Sequence, residues 1–224
     1  MLILAFDAST PVVAVAVARA EGDGRRVLAE VSVSAFGASE TLLPAIDAAL
    51  HLAGERLGSV ERVLAGVGPG TFTGIRIAAT TARALALATG AALSKNSTLA
   101  ALAAPALSGG HPDVLAVIDA KRGQVFAQRF SEAGPTAGIS CAGPEDLSAA
   151  GDPLLVGDGA LRYREALSSL GRVPPEDSLL HRVSAAGHVL SADLAPMDAG
   201  ELVPVYVREP DAEVRRDLNP WSRP

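Results

Sequence analysis

Residues 2–6 form an unbroken apolar run, residues 7–11 (D-A-S-T-P) carry turn chemistry, and residues 12–17 alternate valine with alanine. Two short apolar stretches joined by a polar turn predict a β-hairpin. A third strand is expected over residues 27–34, after the charged turn 21–26, so three antiparallel strands open the chain. The period then lengthens. Ser39-Glu40-Thr41 offers capping hydroxyls ahead of Leu42, Leu43, Ile46, Ala49, Leu50 and Ala53, spaced for one helical face, with Gly54 placed to close it. Pro44 must sit in the first turn of that helix or bend it. Residues 63–67 read as a buried parallel strand, and a glycine-rich loop carries them into a second helix, 74–89, with Gly90 at its cap.

The pattern then restarts. Residues 113–130 repeat the plan of residues 2–17: an apolar strand, an aspartate at its end (Asp119 against Asp7), a short polar turn and a returning strand. This predicts a duplicated α/β domain, with a hinge or crossover inside residues 93–112, where S-G-G-H-P at 108–112 is a loop. Further strands and helices are expected at 153–156, 161–170 (Tyr163, Leu167 and Leu170 inward) and 184–194. Residues 204–208 (P-V-Y-V-R) read as a last extended segment, and the charge, prolines and lone Trp221 of residues 209–224 as a flexible tail. The expected lobes are 1–105 and 106–208.

Composition narrows the function. With 49% apolar residues, 224 positions can bury a substantial core, and with 4% aromatic residues its helices must pack on alanine and glycine. The net charge is −6 and no block of basic residues occurs, so the electrostatic footprint of a stand-alone nucleic-acid binder is missing. Arginine outnumbers lysine 17 to 2. No apolar run reaches membrane-spanning length, and the apolar start lacks a basic leader and meets Asp7 at once, which predicts a cytoplasmic protein. One cysteine, Cys141, gives no disulfide framework. The histidines at 51, 111, 181 and 188 are scattered, so no metal set is expected.

Asp7, Ser9 and Thr10 have two readings: a phosphate or Mg²⁺ site in a hairpin turn, or a turn in which Asp7 satisfies its own backbone. For Asp119 the neighbouring Lys121 and Arg122 favour an ion pair. In G-V-G-P-G-T-F-T-G-I-R-I (66–77), Gly68 and Gly70 permit tight backbone geometry. Thr71 or Thr73 can cap the helix, and the helix start is an anion site with Arg76 in its first turn. Use as a tight strand-to-helix joint stands equally open. The loop fits neither a Walker loop nor a dinucleotide fingerprint, and no nucleophile elbow is present. No catalytic set is expected. The helices at 39–54 and 74–89 carry Leu42, Leu43, Ile46, Leu50, Ile75, Ala78, Ala79, Ala82 and Ala86; these faces either cover the sheet of their own domain or, because both helices are apolar round much of their circumference, form part of a partner interface.

The run G-P-G-T-F-T-G-I-R at 68–76 resembles the GPG-[ST]-FTG-[LI]-R signature of the TsaB (YeaZ) family, partner subunits in making threonylcarbamoyladenosine beside the tRNA anticodon. L-A-F-D-A-S-T at 4–10, S-E-T-L-L-P at 39–44, S-T-L-A-A-L-A at 97–103, D-A-K-R-G-Q-V-F at 119–126, G-D-G-A at 157–160 and P-V-Y-V-R at 204–208 fall in family order. The resemblance implies an actin/Hsp70/sugar-kinase-like (ASKHA) fold of two related lobes, each a mixed β-sheet with flanking helices. It implies a TsaD-like partner, a TsaE-like ATPase in the larger assembly, a homodimer when the partner is missing, and tRNA met only through the complex. Sequences of the TsaD type carry an H-x-x-x-H metal pair after the glycine-rich helix. Residues 95–104 here contain no histidine, so the resemblance assigns ATP and metal to the partners, leaving this chain without cofactor or catalysis. Gly37-Ala38 stands where many TsaB sequences have a histidine. Asp7, Ser9, Thr10, Gly68, Gly70 and Thr71 would then be a vestigial phosphate site. The alternative is a small kinase or ATPase of the same fold, holding nucleotide between its lobes.

Overall fold

The computed structural model describes residues 1–22, 24–34 and 37–208; the expected tail, with Trp221, lies outside the described residues. The opening hairpin forms as the pattern predicts. β1 (Leu2–Asp7) pairs antiparallel with β2 (Val12–Glu21), and β2 with β3 (Gly24–Ser34). On the other side of β1, β4 (Arg62–Gly66) and then β5 (Ala92–Asn96) join in parallel, giving the order β3-β2-β1-β4-β5. β1 is therefore central and covered on both faces, which is why it reads as a continuous apolar run rather than an alternating one.

Leu2, Leu4, Phe6, Val13, Val15 and Val17 point to one face, beneath α1 (Ala38–Ala53) and α2 (Phe72–Thr89). Gly54 and Gly90 close these helices in the left-handed conformation (φ 69° and 76°), as their positions predict. Each helix starts earlier than its sequence signal. Gly37 caps α1, with the Thr41 hydroxyl donating back to the Gly37 carbonyl (2.8 Å), and Thr71 caps α2, its side chain accepting from the Gly74 amide (3.3 Å). Pro44 consequently lies in the second turn of α1, on its exposed side.

The second sheet repeats the first in shortened form. β6 (Asp113–Lys121) pairs antiparallel with β7 (Gln124–Ser131) and parallel with β10 (Leu154–Val156), the relation that β1 has to β2 and β4. β8 (Gly134–Pro135) and β9 (Ser140–Ala142) both pair with β7. α3 (Thr98–Ser108) covers one face through Leu99, Leu102, Ala103 and Ala106. α4 (Asp158–Arg162) and α5 (Arg164–Leu167) cover the other through Ala160 and Leu167, the expected single helix being interrupted at Tyr163. α3 thus belongs by packing to the second core and runs across residue 105.

Between the lobes lies α6 (Ala185–Ser191), whose Val189, with Ala192 beyond its end, packs on Ile3, Ala5 and Leu64, the opposite face of the first sheet. It also presses against α3: a Cβ on Gly187 would fall 2.1 Å from the Ala101 carbonyl oxygen. Two side chains of β3 hold α6 at its ends. Glu30 accepts from the Ser184 hydroxyl (2.8 Å) and the Ala186 amide (3.1 Å). Arg25 donates to the carbonyls of Val189 (2.6 Å) and Ala192 (2.8 Å). An acid at the N-terminus and a base at the C-terminus both match the helix dipole.

Candidate functional site

The aspartate at the end of β1 is the centre of a buried polar network. Asp7 is fully buried; its Oδ1 accepts from the Ser9 amide (2.6 Å), and its Oδ2 accepts from the Thr98 hydroxyl (2.7 Å) and from His188 Nε2 (2.8 Å). Because the Thr98 proton goes to Asp7, the Ser9 hydroxyl donates to Thr98 Oγ1 across 2.9 Å. Burial pushes the Asp7 carboxyl up, but His188 and the Ser9 bonds outweigh it and hold the acid below its ordinary range. His188 is also fully buried, and its Nδ1 has no partner among the described residues, so the ring carries its proton on Nε2, facing Asp7. The network ties β1, α3 and α6 together.

The glycine-rich loop makes this crowding possible. A Cβ on Gly66 would lie 2.1 Å from Asp7 Oδ2, one on Gly70 2.2 Å from the Ser9 carbonyl oxygen, and one on Gly74 1.9 Å from the Ala8 carbonyl oxygen. The Thr71 amide donates to the Ser9 carbonyl at 2.6 Å. The two turns are docked on one another, backbone to backbone. Asp7, Ser9, Gly70 and Thr71 come together in this packing, with the Thr71 amide taken up by the Ser9 carbonyl. Gly68 (φ 94°) turns the chain toward α3, its carbonyl accepting from the Thr98 amide at 2.9 Å.

Thr10 faces elsewhere. With Pro11, Val12, Ile118, Asp158 and Arg182 it lines a cleft of about 290 Å³ between the lobes. Asp158 Oδ1 accepts from the Asp119 amide (3.1 Å), and burial, reinforced by the Asp119 charge, pushes its carboxyl up. Asp119 itself pairs with Lys121 Nζ at 2.9 Å, with Arg162 at 3.5 Å, so the ion-pair reading holds there. Among the described residues no three His, Cys, Asp or Glu side chains are grouped to hold a metal ion, and no helix is long and apolar enough to cross a membrane.

The expected partner face needs correction in detail. Leu42, Ile46, Leu50, Ile75, Ala78, Ala79 and Ala82 are buried within their own lobe, most of them against its first sheet, while Ala86 is half-buried and Leu43 is 56% exposed. The strongest apolar stripe of a helix lying on a sheet faces that sheet. What remains outside is mixed: Leu43, Ala48 and Leu52 on α1, interspersed with Glu40, Asp47 and His51, and Phe72, Arg76, Thr80, Ala84, Leu87 and Ala88 on α2, with the half-buried Arg83 beside them. Leu87 is 89% exposed and Leu52 66%.

At one end of this surface two sequence motifs meet. The Val205 amide donates to the Val67 carbonyl (2.8 Å), laying P-V-Y-V-R along the glycine-rich loop. Arg76 then donates from Nε to the Tyr206 hydroxyl (2.9 Å) and stacks 3.6 Å above the Phe72 ring centre. Sequence reasoning singled out neither Phe72 nor Tyr206, nor the buried partners Thr98 and His188. The P-V-Y-V-R match was the signal for Tyr206; His188 had none, because 181 residues separate it from Asp7.

Two mixed sheets with a repeated β10-β6-β7 and β4-β1-β2 core, helices on their faces and a cleft between them define the actin/Hsp70/sugar-kinase-like class. The family model described as "tRNA N6-adenosine threonylcarbamoyltransferase" (TsaD) matches residues 33–155. The solved structure of YeaZ from Pseudomonas aeruginosa superposes with a TM-score of 0.75 at 27% identity, covering 92% of this chain and 99% of that one. An uncharacterised protein of Mycobacterium tuberculosis is 34% identical over 94% of this chain and 93% of its own. The Escherichia coli tRNA threonylcarbamoyladenosine biosynthesis protein TsaB is 35% identical over 56% of this chain and 53% of its own. Component A of (R)-2-hydroxyglutaryl-CoA dehydratase from Acidaminococcus fermentans shares the fold alone (TM-score 0.53, 13% identity). The chain belongs to the TsaB (YeaZ) family, within the wider group that the TsaD model describes.

Proposed function

We propose that this chain is the non-catalytic partner subunit of a TsaD-like threonylcarbamoyltransferase, binding and stabilising it in forming threonylcarbamoyladenosine on tRNA. The observation that carries the reading is the uncovered outer surface of α1 and α2, where Leu43, Leu52 and Leu87 stand in solvent among small residues such as Ala48, Ala84 and Ala88. Large exposed leucines on two neighbouring helices are a liability unless another chain covers them. Small neighbours let a second helix pair approach closely. The network at Asp7 supports the same reading: the carboxylate is fully buried and already accepts from Ser9, Thr98 and His188, so a metal could reach it only by opening that network.

In this reading ATP and the catalytic metal belong to the partner subunits, a TsaE-like ATPase joins the assembly, and tRNA is met only through the complex. The same surface serves a homodimer when the partner is missing, as a two-fold interface uses one surface twice. The cytoplasm is where such an assembly meets tRNA. The interlobe cleft with Thr10 and Asp158 favours a second reading, a nucleotide-binding enzyme of the same class. One reconstitution separates them. Partner, ATPase and tRNA are assayed for modified adenosine with and without this chain, and this chain is titrated alone with Mg²⁺-ATP. The proposal expects product only with the partner present, more of it with this chain added, and no saturable nucleotide binding. Product from this chain alone, or Mg²⁺-ATP binding lost in Thr10→Ala, would overturn it.

A further inference from the structure

The outer stripe of α2 runs Phe72, Arg76, Thr80, Ala84, Leu87, one residue per turn, with two cations on that side, Arg76 and the half-buried Arg83, and Arg83 spends its donors on the carbonyls of Ala199 (2.9 Å) and Leu202 (2.8 Å). Arg76 is held. Its guanidinium lies 3.6 Å over the Phe72 ring, its Nε is bonded to the Tyr206 hydroxyl at 2.9 Å, and the two rings lie 5.2 Å apart. Phe72 and Tyr206 remain 39% and 43% exposed, so the clamp orders the arginine without hiding it. Among the described residues no carboxylate reaches Arg76, and its one hydrogen bond is from Nε, so its two Nη groups bond no acceptor. An arginine fixed on aromatic rings has already lost most of the side-chain freedom that binding would cost, and Arg, Tyr and Phe are residue types that carry interface energy.

We infer that the Phe72–Arg76–Tyr206 clamp is the polar anchor of the partner interface, and that it receives an aspartate or glutamate side chain from an apolar helical face of the TsaD-like subunit. The inference rests on the partner reading above and adds to it the chemistry of the contact. Charge complementarity commits the occupant: with Arg83 engaged by two carbonyls, Arg76 is the cation of this α2 face whose Nη donors meet no acceptor among the described residues, and it calls for one anion from the facing surface. A nucleic-acid backbone would call for many cations, and this face of α2 carries only Arg76 and the carbonyl-bonded Arg83 among the described residues. The planar fork fits a carboxylate with two parallel bonds, which lysine cannot reproduce.

The test measures affinity of the full-length chain for the purified partner subunit across a salt series, for wild type, Arg76→Ala, Arg76→Lys, Arg76→Glu, Tyr206→Phe and Leu87→Asp, with melting temperature and self-association recorded for each. Arg76→Ala should weaken binding about tenfold or more and flatten its salt dependence. Arg76→Glu should be worse than alanine, Arg76→Lys should recover only part, and Tyr206→Phe should fall between wild type and alanine, all at unchanged melting temperature. Leu87→Asp tests the parent reading. Loss of binding in Leu87→Asp with Arg76→Glu unaffected refutes the anchor and leaves the interface standing. Full binding by both variants refutes the interface itself. A change in self-association alone, or in tRNA affinity of the assembled complex at unchanged partner affinity, would equally overturn the anchor.

Discussion

Asp7 shows how one residue decides between a ligand site and a structural joint. Its family-like position at the end of β1 left both uses open, and the distinction lies in what surrounds it. A buried carboxylate that receives three donors is stable as it is, and removing one of them leaves charge without compensation. His188→Ala should therefore cost about 3–5 kcal/mol in chemical denaturation, the range for breaking a buried pair from one side. The sign with pH follows from the depressed acid. The stabilisation is complete above the unfolded carboxylate value, about 3.9, and is lost as pH falls through the lower folded value. Asp158 behaves oppositely: burial raises it, so its charge weakens the fold above the raised value and the strain is relieved on acidification. Asp158→Asn, which keeps an oxygen for the Asp119 amide, should be neutral to stabilising at pH 7 with the gain vanishing as pH drops. Melting curves from pH 7 to pH 2 on the wild type and both variants check the two signs.

At the scale of elements, the sequence was most legible where a single stripe or a continuous run was buried. β1 to β3, α1, β4 and α2 all follow from period and capping residues, within two or three residues at their ends apart from an earlier start to β3 and a longer β2. α3 was hidden inside a predicted crossover for a physical reason. It is buried by the second sheet on one side and α6 on the other, so alanine and leucine occur all round it and no polar stripe marks a period. The apolar stripes of α1 and α2 admitted two uses, a partner face or cover for their own sheet, and in the fold most of their residues face their own core. The glycine-rich loop was legible as a joint, though the need for glycine there comes from the close approach of the β1–β2 turn, which no local pattern reveals. Gly74→Ala sets a methyl against the Ala8 carbonyl and should lower the urea midpoint by the equivalent of about 1–3 kcal/mol or more. At the ends of α6, Glu30→Ala should cost about 0.5–2 kcal/mol, the range for a lost cap. Hydrogen exchange should then quicken across α6 first and leave β1 protected.

For the whole molecule, the repeat at residues 2–17 and 113–130 did announce two related lobes, and the second is the smaller copy with β10-β6-β7 as its core. What no repeat could announce is how the lobes are held: α6 is gripped by Glu30 and Arg25 from β3 and bonded through His188 to Asp7, so the second lobe is fastened to the first from inside. In the function proposed above, the surface offered to the partner is formed by α1, α2 and the P-V-Y-V-R segment, away from the cleft between the lobes. The most direct measurement is sedimentation velocity on this chain mixed with its purified TsaD-like subunit, comparing wild type with Leu87→Asp. The account predicts a one-to-one complex that Leu87→Asp abolishes while the variant alone sediments and melts as a folded protein. A complex of undiminished affinity with aspartate at that position would contradict it.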